Sequence, residues 1–146
     1  GPAGDTETGA IEAGTLRSGP SNLQWLGARE DIPELLAAAD VFLLPTRYRE
    51  GVPRALIESM AAGLPAVVTD MPGVAETLGD CGGGWCVPPG DRRALAAALG
   101  RAMHTPAATR AEMGRRAAAE ATARFDVAIV LAALTALYRR FLPCNS

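Results

Sequence analysis

The apolar run Val41-Phe42-Leu43-Leu44, a proline- and glycine-bearing turn from Pro45 to Pro53, and a helix-compatible stretch from Arg54 to Ala62 follow one another without a linker. This succession constrains the fold more than any other part of the chain. Four consecutive apolar residues without alternation suit a strand of a parallel sheet, which is covered on both faces. A strand that passes through a tight turn into a helix is half of a β-α-β unit. The pattern then recurs: Ala66–Thr69 reads as the next buried strand, Gly73–Leu78 as a short helix, and Trp85–Val87 as a third strand before Pro88-Pro89-Gly90. Short strands alternating with helices predict an α/β domain built on a Rossmann-like, doubly wound, mostly parallel sheet.

The flanks extend this pattern. Leu23–Leu26 reads as a short strand ending at Gly27. Asp31 is placed to cap a helix with Pro33 in its first turn, carrying Leu35, Leu36 and Ala39. Gly63 stops the helix that begins at Arg54. Asp91 caps Arg92–Met103, whose Leu95, Leu99 and Met103 fall on one face. Thr105-Pro106 opens the next helix. The last helix, Val127–Phe141, carries Val130, Leu131, Leu134 and Tyr138 at three- and four-residue steps. This apolar face either covers the domain's own sheet or stays partly uncovered and favours self-association. The chain thus divides into a poorly defined segment 1–21 (with a helical candidate near Ala10–Arg17), a domain 22–142 and a tail 143–146. A doubly wound half-sheet usually opens with a strand, a tight turn and a helix. None precedes Asn22, so the sheet is expected to be incomplete at its N-terminal side, with the opening unit on upstream sequence.

Composition removes several classes of function. The 146 residues suffice for one domain with a core. A net charge of −2 without a basic block argues against a nucleic-acid partner. All 14 basic residues are arginine, so a lysine Schiff base and a P-loop lysine are both excluded within this chain. Any phosphate held here meets arginine or backbone amides. The three cysteines, Cys81, Cys86 and Cys144, are odd in number and sparse, which points to a reducing compartment. Cys81 and Cys86 make half a zinc pattern, but the single histidine, His104, and the lack of a second pair favour structural thiols and no metal. The longest apolar run is shorter than the roughly 20 residues that span a bilayer. No basic-then-apolar leader pattern is seen. A cytoplasmic protein is expected, without a transmembrane segment, its full-length form able to touch the inner membrane face peripherally.

The turn between the first two elements holds the chemistry. Ligands of open α/β sheets bind beyond the carboxyl ends of the strands. Gly51 lets backbone approach a ligand closely, and Pro53 suits the first helical position. The amides around Val52 and Arg54 then face outward at the positive end of the helix dipole, a site for phosphate. Glu50 stands at the head of the turn, where a carboxylate can hold sugar hydroxyls or offset positive charge at an anomeric carbon. Glu58 lies about 7.5 Å along the helix from Pro53, within reach of a ribose beside a diphosphate. The plainer alternative makes Glu50 a solvated acid beside Arg47 and Arg49, and pairs Glu58 with Arg54 one turn away.

The run around these acids is similar to the donor-binding signature of the retaining glycosyltransferases of the GT-B fold (glycosyltransferase family 4, glycosyl transferases group 1). The matching blocks are Leu23-Gln24-Trp25-Leu26-Gly27, Leu36-Ala37-Ala38-Ala39-Asp40-Val41, and Glu50 through Glu58 with Ser59-Met60-Ala61-Ala62-Gly63-Leu64-Pro65-Ala66-Val67-Val68. Pro72-Gly73-Val74-Ala75-Glu76 and Val87-Pro88-Pro89-Gly90-Asp91 follow in order. Ordered blocks over residues 22–140 are far more specific than one motif. The resemblance implies the C-terminal, donor-binding half of a GT-B fold in a hexosyltransferase-type enzyme. Such an enzyme moves a sugar from a nucleotide-sugar to an acceptor hydroxyl with retention, in polysaccharide or glycolipid biosynthesis, without a metal or other cofactor doing the chemistry. It implies Glu50 as the catalytic residue near the reacting centre. Gly51, Val52, Pro53 and Arg54 would form the sugar–diphosphate cradle, Glu58 would bind the ribose, and Ala28 and Arg29 would lie in the loop that meets the base. Gly73 and Glu76 match a further family loop or form a helix cap. The family's upstream arginine and lysine and its N-terminal acceptor domain are not in this sequence, so the chain alone is expected to bind donor weakly and turn nothing over. Two other readings stay open: another nucleotide-sugar enzyme of this architecture, such as an epimerase or phosphorylase, or a non-catalytic fragment that binds a nucleotide or a partner.

Overall fold

The computed structural model describes residues 20–141. The helical candidate near Ala10–Arg17, the tail 143–146 and Cys144 lie outside them. The chain divides into two compact units, residues 1–32 and 33–146.

In the first unit, Leu23–Leu26 is irregular rather than a strand. Its one backbone hydrogen bond among the described residues is local: the Leu23 amide donates to the Pro20 carbonyl at 2.8 Å. Period-two apolarity makes a strand only where a neighbour supplies a ladder, and none of the described strands pairs with it.

The second unit holds three parallel strands in the order β1 (Phe42–Leu44), β2 (Ala66–Thr69) and β3 (Gly84–Val87). Register places Leu43 beside Val67 and Val67 beside Trp85. The helices are α1 (Ile32–Ala37), α2 (Arg54–Ala61), α3 (Val74–Leu78), α4 (Arg92–His104), α5 (Ala107–Phe125) and α6 (Val127–Phe141). Alternate residues of a strand face opposite sides, and β2 shows what that does here. Ala66 and Val68 pack with Leu56 and Met60 of α2, Val74 of α3 and Ala117 of α5. Val67 points the other way, toward Ala98 and Ala102 of α4. Helices cover both faces of β2, whose four residues are all buried. This is the doubly wound α/β arrangement.

Several local expectations change. β1 is not covered on both faces: Leu43 stays 39% exposed, because β1 is an edge strand of the described sheet and the α4-side cluster reaches Val41 rather than Leu43. Asp31 does not cap α1; its carboxylate is taken by Arg29, at 2.7 Å to Nε. Met103 is 77% exposed, and Ala98 and Ala102 are the buried α4 residues. The contact stripe runs Leu95, Ala98, Leu99, Ala102, one step short of Met103. Asp91 caps α4 as its spacing predicts, accepting from the amides of Arg93 and Ala94 at 2.9 Å. Thr105 serves the helix behind it, donating to the Arg101 carbonyl at 2.7 Å, and Pro106 takes the cap position of α5.

α5 crosses the end of α2 at Gly114. A Cβ there would stand 2.7 Å from the Gly63 carbonyl carbon and closer still to its oxygen, so only glycine permits the approach. α6 has the length expected of it but does not cover the sheet: it has no buried residue, and Leu131, Leu134 and Tyr138 are exposed. By length and composition alone, Ala107–Phe141 contains a stretch apolar enough to cross a membrane, which the apolar-run expectation had missed. That stretch runs across Asp126, whose extended backbone (ψ 132°) separates α5 from α6. The 15 residues of α6 alone span about 22 Å at 1.5 Å per residue.

Candidate functional site

β1 delivers the chain to the carboxyl edge of the sheet at Pro45, and α2 begins at Arg54. The turn between them is fixed at both ends. At its start, Thr69 of β2 donates its hydroxyl to the Thr46 carbonyl at 2.6 Å, and Thr69 is 3% exposed. At its end, Pro53 is buried and takes the N-cap position of α2 with extended backbone, φ −71° and ψ 111°. Proline was expected one position later, inside the helix; as N-cap its carbonyl accepts from the Leu56 and Ile57 amides at 3.1 and 3.2 Å. Between these anchors the turn makes one hydrogen bond among the described residues, Tyr48 N–H to Thr46 Oγ1 at 3.2 Å.

The helix therefore begins between the two carboxylates, Glu50 before it and Glu58 on it. Gly51 and Val52 are exposed, and Glu50 is half-buried. The amides of Gly51, Val52, Arg54 and Ala55 find no acceptor among the described residues. They sit at the N-terminal end of α2, where partial positive charge accumulates. Such an end can hold a phosphate or a sugar oxygen.

Glu58 follows the plainer alternative. Arg54 Nη2 lies 3.3 Å from Glu58 Oε1, one turn away, with the two side chains 90% and 44% exposed. An exposed i,i+4 pair of this kind is worth a few tenths of a kcal/mol, less than two hydrogen bonds from a ribose to the carboxylate. The pair leaves Glu58 available.

Ala28 and Arg29 belong to the first unit. Arg29 is engaged with Asp31, and that guanidinium holds the Asp31 carboxyl below the usual carboxylate range. Gly73 and Glu76 do form the helix cap: the Gly73 amide donates to the Glu76 carboxylate, and Thr77 Oγ1 donates to the Gly73 carbonyl at 2.5 Å. The other titratable candidates have local roles. His104 Nδ1 lies 2.7 Å from the Gly100 carbonyl. Cys81 Sγ donates to the Leu78 carbonyl at 3.2 Å. Burial pushes the Cys86 thiol up, with the Asp70 charge adding to it.

Sequence reasoning passed over the edge of the sheet beyond the acidic turn. A cavity of about 200 Å³ opens there, walled by Pro45, Thr69, Pro88 and Leu95 and flanked by Arg47 and Arg92. The arginines could have been found by noting that each follows the end of a strand by a few residues.

Residues 14–120 match the family model described as Glycosyl transferases group 1. The chain belongs to that family. The amylovoran biosynthesis glycosyltransferase AmsK of Erwinia amylovora is 44% identical over 76 residues, which are 49% of this chain and 19% of AmsK. The phosphatidyl-myo-inositol mannosyltransferase of Mycobacterium leprae is 33% identical over 137 residues, 92% of this chain and 35% of that enzyme. Among solved structures, Anabaena HepE in complex with UDP-glucose superposes with a TM-score of 0.75 at 27% identity, covering 82% of this chain and 33% of HepE. The group 1 match extends through the sheet, the acidic turn and α4 into α5, and the neighbours share the α/β architecture of the GT-B fold. This chain spans about a fifth to a third of the length of these relatives.

Proposed function

We propose that this group 1 chain is the donor-binding half of a hexosyltransferase that uses a nucleotide-sugar and retains configuration at the transferred carbon. The observation that carries the reading is the start of α2 between Glu50 and Glu58, with unengaged amides at the carboxyl edge of a parallel sheet. HepE, a structural neighbour, was solved with UDP-glucose, which supports a nucleotide-sugar donor here. In this reading the amides of Gly51, Val52 and Arg54 hold the sugar and diphosphate oxygens, with Pro53 setting the helix start. Glu58 accepts from the ribose hydroxyls. Glu50 holds the donor sugar and offsets positive charge on its anomeric carbon as the bond to the diphosphate breaks. The acceptor oxygen bonds to that carbon, and its proton leaves with the nucleoside diphosphate. No metal is assigned a step.

An acceptor domain from the rest of the enzyme completes the cleft, so the 146-residue chain binds donor without sustained turnover. Named relatives act in amylovoran biosynthesis and on phosphatidyl-myo-inositol. Polysaccharide or glycolipid assembly in the cytoplasm, at the inner face of a membrane, is the corresponding setting.

Calorimetric titration of the chain with UDP, GDP and ADP tests the ribose contact. One of the three is expected to bind, and Glu58→Ala to weaken it at least tenfold, the equivalent of a lost hydrogen-bond pair to a charged group. Equal affinity for both proteins would remove Glu58 from the site.

A further inference from the structure

Glu50 makes no side-chain hydrogen bond or ion pair among the described residues, yet its backbone is packed. Gly73, the cap residue of α3, has φ 86° and ψ −34°, a conformation that costs an L side chain energy. It also lies against the acidic turn. A Cβ at position 73 would stand 2.8 Å from the Glu50 carbonyl carbon and closer still to the carbonyl oxygens of Glu50 and Gly51. These are backbone atoms, which cannot rotate aside as a side-chain tip would.

The two sides of this contact are unequally anchored. The α3 side is tied down: the Gly73 amide donates to Glu76, and its carbonyl accepts from Thr77 Oγ1 at 2.5 Å and the Thr77 amide at 3.2 Å. Thr77 is 2% exposed and Val74 is fully buried. The turn side has its single internal bond between the Thr46 and Pro53 anchors. Pressure at the contact therefore moves the turn, and Glu50 with it. Gly51 itself has open space where a Cβ would go, so the constraint on the turn comes from position 73 rather than from Gly51.

We propose that Gly73 is a positioning residue for Glu50: its bare α-carbon is the seat against which the Glu50–Gly51 backbone is set at the sheet edge. This rests on the role given to Glu50 above. Any side chain at 73 pushes that backbone outward by something on the order of 1 Å, a displacement large enough to spoil a sugar-reading carboxylate. Glu58 is unaffected, because it is carried on α2 beyond the buried Pro53.

The test compares Gly73→Ala with Gly90→Ala in this chain. Gly90 has a similar φ of 78° but nothing within 4 Å of an added Cβ, so it tests a side chain at a positive φ without the contact. Nuclear magnetic resonance should show Gly73→Ala shifting the amides of Glu50, Gly51 and Val52, and Gly90→Ala leaving them in place. Titration with UDP and with UDP-glucose as probes should then show Gly73→Ala weakening UDP-glucose by roughly 10- to 100-fold while UDP is unchanged. Glu50→Gln is expected to do the same. Should Gly73→Ala fail to fold, Gly73→Asn, which tolerates this φ but still adds the Cβ, takes its place. Unmoved Glu50–Val52 amides in a folded position-73 variant overturn the seat whatever the ligand does. A UDP-glucose to UDP ratio changed by Glu50→Gln but not at position 73 overturns the positioning role alone. A ratio that neither substitution changes removes Glu50 from sugar recognition, and the positioning role falls with it.

Discussion

The crossing of α2 and α5 allows a stringent test of the packing, because one substitution at two helical glycines should act with opposite sign. Gly100 lies inside α4, and an added Cβ there meets nothing within 4 Å. Gly100→Ala therefore gains helix propensity without cost and should stabilise the unit by about 0.5–1 kcal/mol. Gly114 lies inside α5, and the same methyl meets the backbone of Gly63, 2.7 Å from its carbonyl carbon. The propensity gain is similar. Against it stands an overpacking cost of about 1–3 kcal/mol, and the upper part of that range applies because rigid backbone rather than a side chain must yield. The net for Gly114→Ala is a destabilisation of roughly 1–2 kcal/mol. The two variants thus differ by about 2–3 kcal/mol although both change glycine to alanine inside an α-helix. Urea unfolding followed by far-ultraviolet circular dichroism reads both, with midpoints moving in opposite directions at equal slope. A Gly114→Ala variant as stable as Gly100→Ala would show that α5 does not cross α2 at Gly63, and that the core around Met60, Ala117 and Ala121 is arranged differently.

Two further outcomes follow from local geometry. Asp91→Ala removes the acceptor for the Arg93 and Ala94 amides and should cost about 1 kcal/mol in the same assay, whereas Asp91→Asn, which keeps an oxygen there, should cost much less. Glu112 is flanked by Arg115 and Arg116, whose hydrogen bonds hold its carboxyl below the usual glutamate range, Arg115 contributing most. A depressed folded-state value gives stability that is present above the unfolded value and lost as pH falls through the folded one. Carbon-detected titration should place the Glu112 midpoint below the ordinary glutamate range, and 1 M salt should bring it back toward that range because both ion pairs are open to solvent.

Legibility differed between elements for physical reasons. β2, α4 and α6 were readable to within a residue because each announces itself locally, by an unbroken apolar run, by a side-chain cap or by periodicity. Leu23–Leu26 was not, since a short alternating segment becomes a strand only through a ladder partner that no local pattern specifies. The exposure of Leu43 depends on which helices lie over the edge of the sheet, a tertiary matter. Met103 illustrates the limit of a helical wheel: the four-residue step from Leu99 nominates it, but the face that packs on the sheet runs through Ala98 and Ala102, so Met103 turns outward. The two carboxylates and the helix start between them were visible in the sequence. The closeness of Gly73 to the Glu50 backbone was not, because the residues are 23 apart and the contact consists of a missing atom.

The two acids are therefore held by different physics. Glu58 owes its place to a helix register: once Pro53 is buried and α2 starts, five residues of regular backbone fix where its carboxylate emerges, and Arg54 competes for it only weakly. Glu50 owes its place to tertiary contacts on an otherwise loosely bonded turn, with Thr69 holding its start and Gly73 lying against Glu50 and Gly51 themselves. The first arrangement is set as soon as the helix forms, which fits the ribose contact proposed for Glu58. The second depends on where Thr69 and Gly73 stand, and in the proposed function it is the one that meets the reacting sugar. Two carboxylates eight residues apart in sequence are thus set by helix register on one side of Pro53 and by tertiary contacts on the other.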